Sequence, residues 1–409
     1  MYDWVVLWEW VEIAARWLHV ITAVAWIGSS FYFIALDLGL HRDRNLASGA
    51  DGEEWQVHGG GFYHIQKYLV APAEMPDHLV WFKWESYATW LSGFAMLVLV
   101  YYLGAELFLI DPQVMELEVW QAVCISLASL AFGWLAYTTL CKVFVNANQT
   151  VLMVALFGVL VAMSWFYTQV FSGRAAMLHL GAFTASIMSG NVFFVIMPNQ
   201  RVVVADLKAG RKPDPKYGKI AKQRSTHNNY LTLPVVFLML SNHYPLVFAT
   251  EWNWVIASLV FLMGVTIRHW FNTRHARNGN PHWTWFVTVV LFLIIAWLST
   301  GPMRVASGEA MNREALVYAS APGFEEVAGI VQGRCSMCHA AEPGWEGLYW
   351  PPKGVVLETQ AQIAREAKRI YLQAGVTHAM PPGNLSYMEP EERAAIVKWF
   401  RGAGDEDPV

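Results

Sequence analysis

The chain has 409 residues, of which 55% are hydrophobic and only 15% are charged, and its formal net charge is −4. Soluble domains usually carry about 25% charged residues, and the small net charge excludes nucleic-acid binding through bulk positive charge. The composition therefore indicates a membrane protein, and its 21 Trp fit aromatic belts at the two membrane surfaces.

Apolar runs of roughly 20 residues, the length that spans a bilayer core, recur along the first 300 residues. We predict an all-α, polytopic bundle of about eight spanning helices surrounded by lipid. A soluble protein with buried helices is excluded because so many long apolar runs require lipid. The predicted spans are Glu12–Leu38, Leu79–Leu103, Val119–Leu140, Thr150–Phe171, Ala175–Pro198, Tyr230–Phe248, Trp252–Phe271 and His282–Thr300.

The charges between the spans predict the orientation of the bundle. The loops after spans one, three, five and seven hold 14 Lys and Arg, whereas the loops after spans two, four and six hold only Arg174. Cytoplasmic loops carry the excess of Lys and Arg in membrane proteins. We therefore expect a bacterial inner-membrane protein with both termini in the periplasm.

The composition changes after Pro302, where charged residues, Gly and Pro become frequent and no spanning run remains. We predict a transmembrane catalytic domain over residues 1–301, a linker over 302–320 and a periplasmic domain over 321–409. The last of these contains Cys335-Ser-Met-Cys338-His339, the attachment signature of haem c, in which two thiols bind the haem and the His ligates its iron. A zinc site would require two more ligands at paired spacing, and a redox pair of cysteines would not require the His.

A sixth iron ligand is expected from a later loop. Met380-Pro-Pro-Gly resembles the ligand loop of small class I cytochromes c, so we favour Met380 over His378 and Met388. The segment Glu391–Arg401 reads as an amphipathic C-terminal helix. The predicted domain is thus a small all-α cytochrome that passes single electrons.

Three histidines of the predicted bundle fall at a similar depth on its periplasmic side: His19, His179 and His243. Ionisable residues within a membrane are costly and mark function by default. Two of the three could ligate a haem b, with His19 paired to His179 or His243. The alternative is three unrelated histidines that hydrogen-bond to backbone or water.

The cytoplasmic ends of the spans are richer in polar groups. His78 and Glu85 lie near the start of span two, and Arg268 and His269 lie near the end of span seven. Amides and Arg in a partly apolar pocket suit a flat heterocycle with several carbonyl and N–H groups. Capping of helix ends is the ordinary alternative for any one of these residues.

The sequence resembles the membrane-bound bacterial urate hydroxylases, also called cytochrome c urate oxidases, essentially from end to end. The resemblance rests on the opening helix around His19, on His227-Asn-Asn-Tyr-Leu-Thr-Leu-Pro234 with Ser241-Asn-His-Tyr-Pro245, and on the terminal Cys-Ser-Met-Cys-His. It implies oxidation of urate to 5-hydroxyisourate, with electrons passing to the fused cytochrome and then to a terminal oxidase or a soluble cytochrome.

For that reaction we expect His78, His269 or Glu85 as the base and Arg268 or Arg201 as the partner of the anionic substrate. The main alternative is a quinol-oxidising respiratory subunit without urate activity. A haem-copper oxidase would need about six clustered histidines across more spans, and a copper or haem transporter would not need a cytochrome.

Overall fold

The computed structural model describes residues 4–42, 45–70, 72, 76–145, 148–300, 311, 313–348 and 350–403. Among these residues helix dominates, as predicted, and strand is confined to one hairpin. The helices of the first 300 residues are α1 Trp4–Gly39, α2 Trp84–Met96, α3 Ala105–Phe108, α4 Val119–Val143, α5 Gln149–Val170, α6 Gly173–Gly190, α7 Met197–Lys208, α8 Pro215–Ser241, α9 Pro245–Phe248, α10 Asn253–His275 and α11 Trp283–Ser299.

Two of these helices continue through π-helical segments. Leu97–Tyr102 extends α2, and Asn191–Ile196 joins α6 to α7 without a break. Single π-helical turns inside α-helices occur frequently at functional sites. The second segment therefore marks Asn191, which lies at its start, for closer inspection.

Helices lie at all eight positions where spans are predicted. Within the described residues, five helices are long and apolar enough to cross a membrane by length and composition, and α11 is a shorter apolar helix. The helix over span two and α8 fall outside that group, so the count of eight stays a prediction. The five are Trp4–Gly39, Val119–Val143, Gln149–Val170, Gly173–Lys208 and Asn253–His275.

The core of the bundle is formed mainly by α4, α5, α6, α8 and α10. Polar side chains close several helix starts, as where Asn148 accepts the backbone N–H of Thr150 and Ser172 accepts that of Ala175. No described residue of α1 is buried, so this helix packs at the periphery with many of its apolar side chains facing outward. Cys141 is buried, as its apolar character predicts, whereas Cys124 is exposed on α4.

A β-hairpin after α1 departs from the predicted all-α fold. Strands β1 Ala50–His58 and β2 Gly61–Tyr68 pair antiparallel across a two-residue turn. Both turn residues have positive φ, 60° at Gly59 and 80° at Gly60, as the tight turns that match the twist of two strands require. Lys67, one of the positive charges counted in the loop after span one, thus lies in an ordered strand.

The C-terminal region folds around its own core. Its helices are α12 Arg313–Ser320, α13 Phe324–His339, α14 Gln360–Arg365, α15 Ala367–Ile370 with the π-helical Tyr371–Val376, and α16 Pro390–Gly402. The amphipathic helix predicted over Glu391–Arg401 is present as α16, and its Ile396, Trp399 and Phe400 are buried.

The predicted linker 302–320 divides into two parts. Residues 302–310 and 312 lie outside the described residues, while α12 packs on the C-terminal core. Trp399 Nε1 donates to the backbone oxygen of Tyr318, and the ring of Tyr318 stacks on Phe400 at 5.0 Å. Residues 313–320 therefore belong with the C-terminal domain and not with a free tether.

The C-terminal domain contacts one end of the bundle, which we call the docked end. Lys368 pairs with Glu9 and Glu12 at the start of α1. The guanidinium of Arg369 lies over the ring of Phe108, 5.5 Å from its centroid, and Arg174 lies over the same ring at 5.2 Å. The N-terminal helix and the connections after spans two and four thus share one end with the C-terminal domain, as the charge pattern predicts.

Candidate active site within the helical bundle

A network of buried polar side chains lies away from the docked end. In its first half, Arg268 of α10 donates from Nε to Asn229 Oδ1 at 3.3 Å and from Nη2 to Asn272 Oδ1 at 3.0 Å. Asn272 Nδ2 donates to the same oxygen of Asn229 at 2.8 Å. The guanidinium of Arg268 lies over the ring of Phe31, 4.0 Å from its centroid. These contacts hold α1, α8 and α10 together around one cation.

The second half of the network joins α4, α8 and the π-helical segment after α6. Tyr137 Oη lies 2.8 Å from His227 Nδ1 and accepts from Asn191 Nδ2 at 3.1 Å. Asn191 Nδ2 also donates to Asn228 Oδ1 at 2.9 Å. The guanidinium of Arg224 lies over the ring of Tyr137, 4.7 Å from its centroid. Asn228 and Asn229 are consecutive on α8, so the two halves meet there.

The two arginines give the network its electrostatic character. Arg224 is 6% exposed and Arg268 is 5% exposed, yet neither forms an ion pair with a carboxylate of the described residues. Their contacts there include amide oxygens and aromatic rings. Arg224 Nε and Asn229 Nδ2 are buried without a hydrogen-bond partner there. A buried charge is costly unless it is compensated. The network is therefore suited to an anion with several hydrogen-bonding groups.

Most members of the network, among them Arg224, Tyr137 and Asn191, are missing from the sequence-based site. Arg224 was counted among the loop charges after span five, but it lies on α8 and is buried. Tyr137 and Asn191 received no functional role, although an isolated polar residue inside an apolar run is a signal of function in membrane helices. Their partners are distant in sequence, so only the folded chain shows that they meet.

The structure does not bring the four predicted catalytic residues together. Arg268 joins the network, while His269 Nδ1 lies 3.3 Å from Tyr230 Oη on the neighbouring helix. Glu85 is in the first turn of α2, and its Oε2 is buried without a partner among the described residues. His78 lines a separate open cavity.

The cavity that contains His78 has a volume of about 420 Å³. Arg201 and Lys208 of α7 contribute two cations to its wall and Asp77 contributes one carboxylate, so the cations are in excess. Trp81 contributes an aromatic ring. Cationic clefts raise the local concentration of anions. The cavity therefore brings together two residues of the predicted site, His78 and Arg201, at the end of the bundle opposite the docked end.

The three histidines predicted for haem b have different surroundings. His19 Nδ1 lies 3.1 Å from the backbone oxygen of Thr89 and therefore donates to it, which leaves Nε2 as the free ligand atom. A Cβ at Gly93 would lie only 2.8 Å from the His19 ring, so this glycine allows the ring to approach α2. His243 is exposed after α8, near the cations Arg16, Arg174 and Lys353.

His179 is enclosed more completely than His19. Its Nδ1 donates to Ala175 O at 2.8 Å, and its Nε2 lies 2.9 Å from Ser126 Oγ. The rings of Tyr101, Tyr167 and Phe171 surround it at centroid distances of 5.8, 5.8 and 4.7 Å. Both nitrogens are thus engaged, and this geometry does not fit an iron ligand. Haem b stays a prediction, for which His19 and His243 are the better candidates.

The residues around Cys335 and Cys338 fit a covalent haem. Both cysteines and His339 lie in the last turns of α13, and both thiols are free. His339 Nδ1 lies 2.9 Å from Val355 O and donates to it, which fixes the ring and leaves Nε2 for iron. Burial raises the pKa of the Cys335 thiol to about 11, so the thiol is neutral at physiological pH.

The candidate sixth ligands also differ in their surroundings. Met388 is 2% exposed within the apolar core, whereas Met380 is only partly buried. Arg393 Nη1 donates to Met380 O at 2.9 Å and to Ala374 O at 2.6 Å, which fixes the loop that carries Met380. His378 is exposed. These surroundings favour Met380, because its side chain is not already committed to the core.

Comparison with known proteins found a family match for the first part of the chain. A family model described as urate oxidase N-terminal matches residues 5–299, well over half of the chain. Neither a curated protein nor a solved structure matches the sequence. The matched region contains every helix of the bundle and the whole polar network, and it indicates an oxidoreductase that acts on urate. The chain belongs to the urate oxidase N-terminal family.

Proposed function

We propose that this chain is a membrane-bound enzyme that oxidises urate to 5-hydroxyisourate and passes the electrons to a haem c in its C-terminal domain. The family match supports urate as the substrate. The single structural observation that carries the proposal is the buried network, in which two arginines pair with no carboxylate of the described residues. Urate is an anion at neutral pH and presents carbonyl and N–H groups on a flat ring, which amides and guanidinium groups can pair.

The electron acceptor is argued from the C-terminal domain. Cys335, Cys338 and His339 would hold a haem c, and Met380 would complete its ligands. Such a haem accepts one electron at a time. This domain contacts the bundle directly at the docked end, through Lys368 and Arg369 among others. Reduced haem would in turn be reoxidised by a terminal oxidase or a soluble cytochrome.

The depth of the network bears on electron transfer. Tyr137 lies about 27 Å along α4 from Val119, the end of that helix nearer the docked end. Electrons must cover this distance to reach the C-terminal domain. A haem b held by His19 would lie between the two sites, which supports its proposal as a relay. In the proposed orientation the network lies on the cytoplasmic side of the bundle and the docked end faces the periplasm of a bacterial inner membrane.

The experiment that tests this function follows the product with oxygen excluded. Purified full-length protein is mixed with urate and an excess of oxidised soluble cytochrome c, and the products are identified by mass spectrometry. We expect 5-hydroxyisourate, with reduction of the added cytochrome. A quinol is supplied in a parallel reaction. Reduction by quinol together with unchanged urate would support a respiratory electron-transfer subunit and contradict the proposal.

A further inference from the structure

We infer that His227 accepts the proton that urate loses during oxidation, and that Arg224 binds the urate anion beside it. The inference rests on the proposed function and adds the residues that perform it. His227 and Arg224 are less than one turn apart on α8 and share Tyr137 as a contact. A proton acceptor and an anion-binding cation thus occur in one connected cluster.

The hydrogen bonds favour one neutral tautomer of His227. Tyr137 Oη accepts from Asn191 Nδ2, and the nearby Arg224 guanidinium also favours an acceptor role for this oxygen. Cys141 Sγ, one turn along α4, is the acceptor available to the hydroxyl proton of Tyr137, so the remaining lone pair of Oη accepts Nδ1–H of His227. In this tautomer the lone pair of Nε2 is free, and no hydrogen bond joins Nε2 to another described residue. Tyr137 therefore positions His227 as a base.

Arg224 has an unused donor in the same cluster. Its Nη1 lies 3.5 Å from Asn191 Oδ1, at the limit of a hydrogen bond, while its Nε is buried without a partner among the described residues. An ionised partner strengthens a hydrogen bond roughly twofold relative to a neutral pair. Nε and the weakly bonded Nη1 are therefore the donors that best match an anionic ring.

The cluster around His227 is buried, whereas the cavity at His78 is open. Tyr137 and His227 are 1% and 2% exposed, and Asn191 is fully buried. Fixed dipoles act more strongly where water is excluded, because the local dielectric is low. The cavity at His78 is open, and its two cations suit capture of the anion before it reaches the buried cluster. We therefore assign the proton transfer to His227 and not to His78.

The reaction at this cluster consumes one urate monoanion and one water. His227 Nε2 takes one ring N–H proton from the urate monoanion, and the two electrons would leave one at a time to one-electron acceptors such as the proposed haem c. The product of these losses is a neutral oxidised purine. One water then adds across its C5=N bond, with the hydroxyl on C5 and the proton on nitrogen, to give 5-hydroxyisourate. The net yield is one proton and two electrons from one urate monoanion and one water.

The test separates binding from proton transfer in full-length protein. Urate binding is measured on protein reduced beforehand, so that no electrons can leave the substrate. Arg224→Gln should weaken binding about tenfold, as expected for loss of a charge-assisted contact, and Arg224→Lys should recover part of it. His227→Gln should keep binding within about threefold but slow urate-dependent haem reduction by about 10²-fold or more.

Controls identify the source of each effect. His275→Gln changes an exposed histidine of α10 and should behave as wild type. Tyr137→Phe removes only the hydroxyl that positions His227, so it should slow haem reduction and shift its pH profile while urate binding persists. Haem c absorbance and the elution volume in gel filtration show whether each variant folds. If His227→Gln does not fold, Tyr137→Phe provides the test.

Three outcomes contradict different claims. Wild-type protein that neither binds urate nor is reduced by it overturns the proposed function itself. Wild-type protein that urate reduces, together with a wild-type rate for Tyr137→Phe and for His227→Gln, overturns the assignment of His227 alone. A loss confined to His78→Gln would move the proton acceptor to the open cavity.

Discussion

Lys368 Nζ lies 3.7 Å from Glu9 Oε1, across the junction between the C-terminal domain and the first helix of the bundle. The same amine lies 3.9 Å from Glu12 Oε1. One cation therefore faces two carboxylates on successive turns of α1. This contact, with Arg369 over Phe108, fixes the C-terminal domain on the docked end.

Charge reversal at this junction should loosen it. Lys368→Glu places a third carboxylate beside Glu9 and Glu12, and losing such partly exposed pairs costs about 1 kcal/mol. We expect roughly fivefold faster hydrogen exchange in the first turns of α1. Lys368→Arg keeps the charge and should leave exchange unchanged. Equal exchange in wild type and Lys368→Glu would show that the ion pairs do not hold the junction.

Glu314 should make the stability of the folded chain depend on pH. Burial, followed by the nearby negative charge of Glu106, raises the pKa of Glu314 above its ordinary value, while Lys368 opposes the shift. A raised pKa means that the folded state binds the proton more tightly. The stability gained from this proton binding is complete below the ordinary pKa of Glu. It is lost as the pH rises through the raised pKa of Glu314.

Glu314→Gln is the corresponding test. The variant should have a higher thermal unfolding midpoint than wild type at neutral pH and a similar one in acid, where Glu314 is protonated. Glu346→Gln, at an exposed position, should change neither. An equal shift at both pH values would rule out ionisation of Glu314 as the cause.

Asn229 should be important for stability as well as for the site. Its Oδ1 accepts from both Arg268 and Asn272, so Asn229→Leu leaves two buried donors without an acceptor. Such a loss costs about 1–3 kcal/mol per group, which should appear as a lower thermal unfolding midpoint in detergent. The exposed Asn278→Leu is the matched control and should stay within about 0.5 kcal/mol of wild type. Similar midpoints for the two variants would argue against the network.

The two methionines near the predicted haem c should respond differently to substitution. Met380→His replaces a thioether by an imidazole and should lower the reduction potential of the haem. Met388→Leu conserves volume in the core, so it should cost less than about 1.5 kcal/mol and leave the potential unchanged. If the reduction potential of the haem fell only in the Met388 variant, Met388 would be the iron ligand and Met380 would not.

Helical periodicity explains what the sequence could predict. The apolar runs match the helices of the bundle, and the spacing of Ile396, Trp399 and Phe400 matches their burial in α16. The hairpin was missed because its segment was read through its loop charges. Its signals were present in the alternating residues of Ala50–His58 and Gly61–Tyr68 and in the Gly59–Gly60 turn between them.

The buried cluster was beyond a single sequence for a different reason. Counting positive charges treats every Lys and Arg between spans as solvated, so Arg224 was placed in a loop. The contacts of Tyr137 with Asn191 and His227 join positions that are tens of residues apart. No local pattern carries such pairings, whereas the haem c signature lies within five consecutive residues and could be read directly.

The central claim is that urate electrons reach the C-terminal haem of the same chain. Its most direct measurement is anaerobic stopped-flow mixing of oxidised full-length protein with less urate than protein, followed at the haem c absorbance. Because one urate yields two electrons, we expect two haem c groups reduced for each urate when no other haem retains an electron. A haem spectrum that stays oxidised after mixing with urate would contradict the account.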